Sequence, residues 1–322
     1  MTRAIRIAQY GGPEVMSFET IELRDPGPGE ARVRHTAIGV NYVDTYNRSG
    51  LYPGELPSGL GVEAAGVVEA IGPGVDIPLG ARVAYATAGV GAYSEARIVP
   101  ANQLLAIPDE VSDGVAAAVL LKGLTVEYLL RRTYVVCPGD TVLFHAAAGG
   151  VGLIAGQWLG ALGVHAIGVV GTEEKAELAR ANGYEHVLLA SSDIPARVRE
   201  LTGGKGVPVV YDSVGKATFY SSLDCLMPRG LLVSFGNASG KPDPFDPLVL
   251  SQKGSLYITR PKLADYVGTR EELVTAGEAV FSVVKSGVLR LIIGQRFPLA
   301  EAAEAHRALE ERRTTGSTLL FP

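Results

Sequence analysis

The sequence predicts an α/β protein in which a β-rich lobe is interrupted by an inserted, nucleotide-binding lobe built on a parallel sheet. Three observations carry this. Roughly the first 110 residues are short strand-like runs separated by Gly/Pro punctuation. From Thr141 onward apolar strands alternate with helices, the pattern of βαβ units. The last stretch, from about Arg270, returns to mixed structure. A chain of 322 residues is long enough for two lobes that share a cleft.

The elements follow in order. Met1 to Tyr10 alternates apolar residues with Arg3 and Arg6 and reads as a strand; no apolar core follows that would make it a signal peptide. Pro26-Gly27-Pro28-Gly29, Gly72-Pro73-Gly74 and Pro78-Leu79-Gly80 are turn signals between runs such as Ala31–Val40, Gly66–Ile71 and Arg97–Val99. They predict a folded-over β lobe. A helix is expected over Ser112–Arg132, opened by Ser112 and Asp113, both capping types. Thr141–Ala146, Ala166–Val170 and Val187–Leu189 are then expected as strands, with helices Val151–Leu162 and Glu173–Asn182 between them, the second closed by Gly183. Val207–Ser213 and Leu231–Ser234 complete the series, with a helix between. These strands are apolar without alternation, as helices on both faces require. Helices Arg270–Ser286 and Ala300–Arg312 and a strand Thr318–Phe321 end the chain. No internal repeat is present.

Composition excludes several classes. The formal net charge of −5 offers no basic footprint for nucleic acid. No stretch approaches the roughly 18 apolar residues needed to span a membrane. Two cysteines, Cys137 and Cys225, cannot form a disulfide framework; they are read as small buried hydrophobes in a reducing, cytoplasmic setting.

Phe144-His145-Ala146-Ala147-Ala148-Gly149-Gly150-Val151-Gly152 ends a strand and opens a helix. Ala147-x-Gly149-x-x-Gly152 matches the dinucleotide fingerprint with alanine at its first place. Gly149 lets backbone approach a pyrophosphate, Gly152 lets helix and strand pack closely, and the helix N-terminus presents N–H groups to the phosphates. About 20 residues on, NAD-preferring sites place a carboxylate on the ribose 2′-hydroxyl. Here the second strand ends Val169-Val170-Gly171-Thr172, without one, and Lys175 stands within reach of a 2′-phosphate. The expected cofactor is NADPH rather than NADH.

These residues, with several further motifs, make the chain resemble the zeta-crystallin-like NADPH:quinone oxidoreductases, a zinc-free branch of the medium-chain dehydrogenase/reductase superfamily, and among them the bacterial enzymes. The likeness covers nearly the whole length. It includes Tyr10-Gly11-Gly12-Pro13-Glu14, Gly39-Val40-Asn41-Tyr42-Val43-Asp44-Thr45-Tyr46, Gly50-Leu51-Tyr52-Pro53, Leu121-Lys122-Gly123-Leu124-Thr125, Tyr211-Asp212-Ser213-Val214-Gly215 and Ser234-Phe235-Gly236-Asn237. The resemblance implies a GroES-like catalytic domain over residues 1–126 and 265–322 and a Rossmann NADPH-binding domain over 127–264. It also implies a homodimer joined at a sheet edge, with Ser255–Thr259 as the edge strand.

Zinc-dependent relatives carry Cys-His and Gly-His-Glu where this chain has Asn41-Tyr42 and Gly61-Val62-Glu63, and they have a four-cysteine loop that is missing here. A catalytic zinc needs about three Cys, His or carboxylate ligands. His35, His145, His165, His186 and His306 show no ligand spacing, so no metal is expected. Reduction of an already electrophilic acceptor is the chemistry left.

A quinone accepting hydride develops negative charge on oxygen, and nearby donors lower that barrier. Asn41, Tyr46 and Tyr52 are the candidate donors, the tyrosines reading equally as ordinary packing; Asp44 is a candidate to orient a neighbouring donor. By resemblance, Asn41 and Tyr46 also border the nicotinamide. The cofactor set carried over comprises Lys122, Thr125 and Tyr128, then Gly149, Gly150, Val151 and Gly152 at the glycine turn. It continues with Gly171, Thr172 and Lys175 after the second strand, Ser213 after the fourth, Phe235, Gly236 and Asn237 after the fifth, and Ser317. One departure stands out: relatives commonly have Asn-Tyr after the third strand, where this chain has Leu189-Ala190, which is expected to weaken the hold on adenosine. Two alternatives remain, an NADPH-dependent enone or alkenal double-bond reductase, and a nucleotide-loaded RNA-binding or crystallin-type structural protein. The acidic net charge speaks against RNA.

Overall fold

The computed structural model describes residues 1–322, which divide into two compact units. The first comprises Met1–Lys122, Val267–Lys285 and Arg290–Pro322; the second comprises Gly123–Tyr266 and Ser286–Leu289.

The first unit is organised on the long strand Glu30–Val40, which pairs antiparallel with Glu63–Ile71, Ala96–Pro100 and the C-terminal Ser317–Phe321. These belong to a seven-stranded sheet, and Thr2–Ile7, Ser17–Ile21 and Ser58–Gly59 form a separate three-stranded one. Two turn signals meet: Gly29 N–H donates to Pro73 O at 2.9 Å and Gly72 N–H to Glu30 O at 2.8 Å. A Cβ on Gly72 would lie 1.7 Å from Gly27 O, so only glycine permits this approach. Strand Ile293–Pro298 lacked a clear signal in sequence, and it pairs parallel with Ser317–Phe321 in an otherwise antiparallel sheet. Ile5, Val33, Ile38, Leu60, Tyr85 and Tyr93 are among the fully buried residues at its core.

The second unit is a six-stranded, wholly parallel sheet. Its strands in chain order are Thr141–His145, His165–Val170, His186–Leu189, Val207–Asp212, Leu226–Ser234 and Tyr257–Thr259. Numbered 1 to 6, they lie in the order 3-2-1-4-5-6, the doubly wound Rossmann arrangement, whose order reverses between the first and fourth strands. Leu143, Ile167, Val207, Val210 and Leu232 are fully buried, consistent with covered faces.

Several boundaries differ from expectation for local reasons. The first strand stops at His145 because Ala146 turns left-handed (φ 54°). The edge strand begins at Tyr257 rather than Ser255, since Gly254 (φ 112°) and Ser255 (φ 57°) break the extended backbone. The helix expected through Arg132 runs Asp113–Tyr128 and then widens into a π-helical turn, Leu129–Thr133, whose first carbonyl accepts from Tyr134 N–H and from the Tyr211 hydroxyl. Helix Ile194–Leu201 was not anticipated; Asp193 caps it by accepting the Ala196 N–H at 3.1 Å. Cys225 is buried, but Cys137 is exposed, correcting its reading as a core residue. It sits in a loop held by Asp140, which accepts its N–H at 2.9 Å.

Candidate active site

Sheets of this order bind ligands outside the carboxyl ends of their strands, at the point of reversal. Here that point carries the turn from His145 into helix Gly150–Ala161. Gly149 is the N-cap and has no side chain to bond the first helical N–H groups, which leaves them to an anion. A Cβ on Gly152 would sit 2.4 Å from Ala146 O and 2.6 Å from Ala147 O, so this glycine serves helix–strand packing. At Gly171 a Cβ would meet nothing within 4 Å, which marks open space beside the second strand's end. Thr172 then caps helix Glu173–Arg180 by accepting the Lys175 N–H at 3.3 Å. An N-terminus without a side-chain cap, close-packing glycine and an open shelf together fit a dinucleotide.

The remaining cofactor candidates of this unit lie on neighbouring strand ends. Asp212 ends the fourth strand and accepts the N–H groups of Val214 and Gly215 at 2.8 and 3.1 Å, which folds the Ser213 turn back on itself. Its other oxygen accepts from Thr218 and Ser222, and Ser222 reaches His145 Nε2 at 3.0 Å. The strand ends are thus tied side by side. Phe235 N–H donates to Asp212 O at 2.8 Å, and a Cβ on Gly236 would lie 2.4 Å from Ser213 O. Asn237 is buried in the same loop, and its carbonyl accepts the Gly240 N–H at 2.9 Å. Tyr128 stacks on Tyr266 at 4.5 Å, and Thr125 lies one turn before it on the same helix.

Asn41, Tyr46, Tyr52, Lys122 and Ser317 belong to the first unit. Asn41 caps helix Tyr42–Ser49. Tyr46 lies on that helix, its ring packed edge-on between Tyr42 at 5.5 Å and Tyr52 at 5.2 Å. Tyr46 is buried and Tyr52 exposed. Asn41 is gripped at both ends. Its N–H donates to Asp44 Oδ2 at 2.8 Å, and its side-chain amide donates to Glu63 Oε2 at 2.9 Å. Glu63 also accepts the Leu121 N–H at 2.5 Å and forms an ion pair with Lys122 at 3.7 Å. Ser317 is spent on the Ala118 carbonyl, 3.1 Å away.

Asp44 is wholly buried, and a chain of bonds extends from it. Tyr93 donates its hydroxyl proton to Asp44 Oδ2 at 2.9 Å and lies 3.0 Å from His306 Nε2. His306 Nδ1 lies 2.9 Å from Arg48, which pairs with Glu310. The arginine can only donate, so His306 carries its proton on Nε2 and passes it toward the tyrosine oxygen. Burial, and then the neighbouring Arg48, hold His306 down at about 3. Burial pushes Asp44 up to about 7 against the opposing bonds from Asn41 and Tyr93. Burial likewise raises Glu63, and Lys122 opposes it.

Comparison with known proteins fits this geometry. Residues 27–109 match the alcohol dehydrogenase GroES-like domain, and residues 150–266 the family described as zinc-binding dehydrogenase. The chain is 55% identical, over the full length of both, to a quinone oxidoreductase of Pseudomonas aeruginosa. It superposes with TM-score 0.98 and 50% identity on the structure of the Escherichia coli quinone oxidoreductase complexed with NADPH, covering 99% of this chain and all of that one. The chain belongs to the quinone oxidoreductase family. A 2-haloacrylate reductase of Burkholderia is also similar, at 47% identity over 100% of this chain and 99% of that protein.

In this chain no group of three or more His, Cys, Asp or Glu side chains could hold a metal ion. The residues that sequence reasoning missed are Glu63, Tyr93 and His306. Tyr93 and His306 have no motif around them, and only tertiary pairing brings them to Asp44. Glu63 was in view as the third residue of Gly61-Val62-Glu63, but its contact with Asn41 needs the pairing of two strands, which sets Glu63 opposite Gly39.

Proposed function

We propose that this protein is an NADPH-dependent reductase of quinones that works by hydride transfer without zinc. The observation that carries the reading is the uncapped glycine turn at the reversal point of the 3-2-1-4-5-6 sheet, in a chain half identical to proteins named for this activity. Bound NADPH supplies the hydride. The turn residues Gly149, Gly150, Val151 and Gly152 receive its pyrophosphate, and Gly171, Thr172 and Lys175 its 2′-phosphorylated ribose. Tyr128, Ser213, Phe235, Gly236 and Asn237 border the rest, with Lys122, Thr125 and Ser317 completing the set. Asn41, Tyr46 and Tyr52 stand as donors to the acceptor's oxygen, and Asp44 with Glu63 fixes Asn41. The catalytic domain comprises residues 1–126 and 265–322, and the cofactor domain 127–264. The edge strand Tyr257–Thr259 joins two copies, and the protein works in the cytoplasm.

A second reading, reduction of an activated carbon–carbon double bond, is favoured by the similarity to the 2-haloacrylate reductase. Anaerobic NADPH oxidation by metal-free protein, offered 1,2-quinones, 1,4-quinones and α,β-unsaturated carbonyl compounds in turn, separates the two. Turnover restricted to the unsaturated compounds replaces the first reading with the second. Loss of turnover on adding chelator rejects the zinc-free mechanism.

A further inference from the structure

We propose that the Lys122 ammonium is a catalytic group that hydrogen-bonds the acceptor's carbonyl oxygen as negative charge develops on it. The proposal rests on the reductase reading above and deepens it. Lys122 is buried, its side chain only 8% exposed, and its Nζ has no hydrogen-bond partner. An ammonium carries three donors, and leaving them unpaired away from water is costly. Its counter-ion is Glu63, whose side chain is wholly buried, but at 3.7 Å that pair is too long for a hydrogen bond. Both Glu63 oxygens are already engaged, Oε1 by the Leu121 N–H and Oε2 by the Asn41 amide. Glu63 therefore balances the charge of Lys122 without satisfying its donors.

The placement favours a ligand. Asn41 Nδ2 and Lys122 Nζ approach the same carboxylate oxygen, at 2.9 and 3.7 Å, so the two side chains stand together at the N-cap of helix Tyr42–Ser49. Asp44, in the first turn of that helix, also feels the Lys122 charge. A hydrogen bond from a charged donor is about twice as strong as one from a neutral amide or phenol, and it strengthens further as the acceptor becomes an anion. In the reaction the hydride leaves the dihydronicotinamide with its electron pair and forms a new bond to the acceptor. The pair displaced there comes to rest on the carbonyl oxygen, facing the ammonium, and a proton from water completes the reduced product.

The test uses the full-length protein with one 1,4-quinone and one 1,2-quinone. Lys122→Met is expected to lower kcat about 100-fold at saturating NADPH, the range seen on removing one oxyanion donor, with NADPH affinity followed separately by fluorescence titration. The double variant Glu63→Gln with Lys122→Met removes both charges of the pair, so Glu63 is not left as an uncompensated buried charge. It is expected to melt near the wild-type temperature and to lose at least as much kcat, since Glu63 also holds the Asn41 amide. In Lys122→Ala, added ethylammonium is expected to restore turnover and ethanol to fail. A folded double variant with wild-type kcat overturns the proposal alone, as does a loss wholly explained by weaker NADPH binding, or equal rescue by ethanol. Wild-type protein that binds NADPH yet reduces no quinone or enone overturns the reductase reading and the proposal with it.

Discussion

Asp44 shows burial and hydrogen bonding competing at one carboxyl. Two donors favour its ionised form, yet burial wins and lifts it from an ordinary 3.8 to about 7. The consequence for stability has a definite sign. Below about pH 4 the group is protonated in folded and unfolded chains alike. Between about pH 4 and 7 only the folded chain holds the proton, so stability falls as pH rises through that window and is level above it, by an amount on the order of 4 kcal/mol. Asp44→Asn keeps an acceptor for Asn41 and Tyr93 and removes the titration. It is expected to raise the melting temperature by about 5 °C at pH 8 and to leave it unchanged near pH 4. A gain of equal size at both pH values would remove Asp44 as the titrating group. Lys175 makes the other residue-scale prediction: if Lys175 holds the 2′-phosphate as proposed, Lys175→Ala is expected to raise KM for NADPH roughly 10- to 100-fold and to change that for NADH little. Equal losses with both cofactors would detach Lys175 from that phosphate. Lys175 could be picked out in the sequence because its candidacy is local, five residues beyond the end of the strand His165–Val170. The chain leading from Asp44 could not, because Tyr93, which bonds it, lies 49 residues away in sequence and His306, which bonds Tyr93, a further 213.

At the scale of elements, Gly152 in the glycine turn and Gly171 after the second strand, both cofactor candidates in sequence, are of two different kinds. Gly152→Ala places a methyl against two backbone carbonyls that cannot yield, and is expected to lower the melting temperature sharply with or without NADPH. Gly171→Ala enters open space and is expected to leave the melting temperature unchanged while weakening NADPH binding. Calorimetry of both variants, with and without NADPH, checks the pair; a stable Gly152→Ala protein would contradict the packing role. The alternating strands and helices were legible because each apolar run is bounded by its own turn chemistry. Helix Ile194–Leu201 escaped notice, although Asp193, Pro195 and the apolar spacing of Ile194, Val198 and Leu201 would have revealed it. Strand Ile293–Pro298 carries no comparable signal, since glycine and charge interrupt it and its pairing partner supplies the order.

For the whole molecule, the sequence predicted a parallel sheet but not its order, because order depends on which strand lies beside which. That order leaves Tyr257–Thr259 at one edge of the sheet, with Tyr257 62% exposed. An unpaired edge of β-favouring residues is a template for a second strand. If two copies join there, Tyr257→Lys, which puts a charge on the exposed end of the edge strand, is expected to yield monomers in sedimentation velocity. A dimer that survives this change would move the interface elsewhere.

The exposed loop at Cys137 has a practical consequence. The other cysteine, Cys225, is buried, and its thiol is pushed up to about 12, chiefly by burial. Toward maleimides the native protein therefore behaves as a single-thiol molecule, and no mutagenesis is needed to attach a fluorophore at one place. Cys137 precedes the start of the strand Thr141–His145, at the end remote from the glycine turn. A dye there would report on the sheet without touching the phosphate-binding backbone.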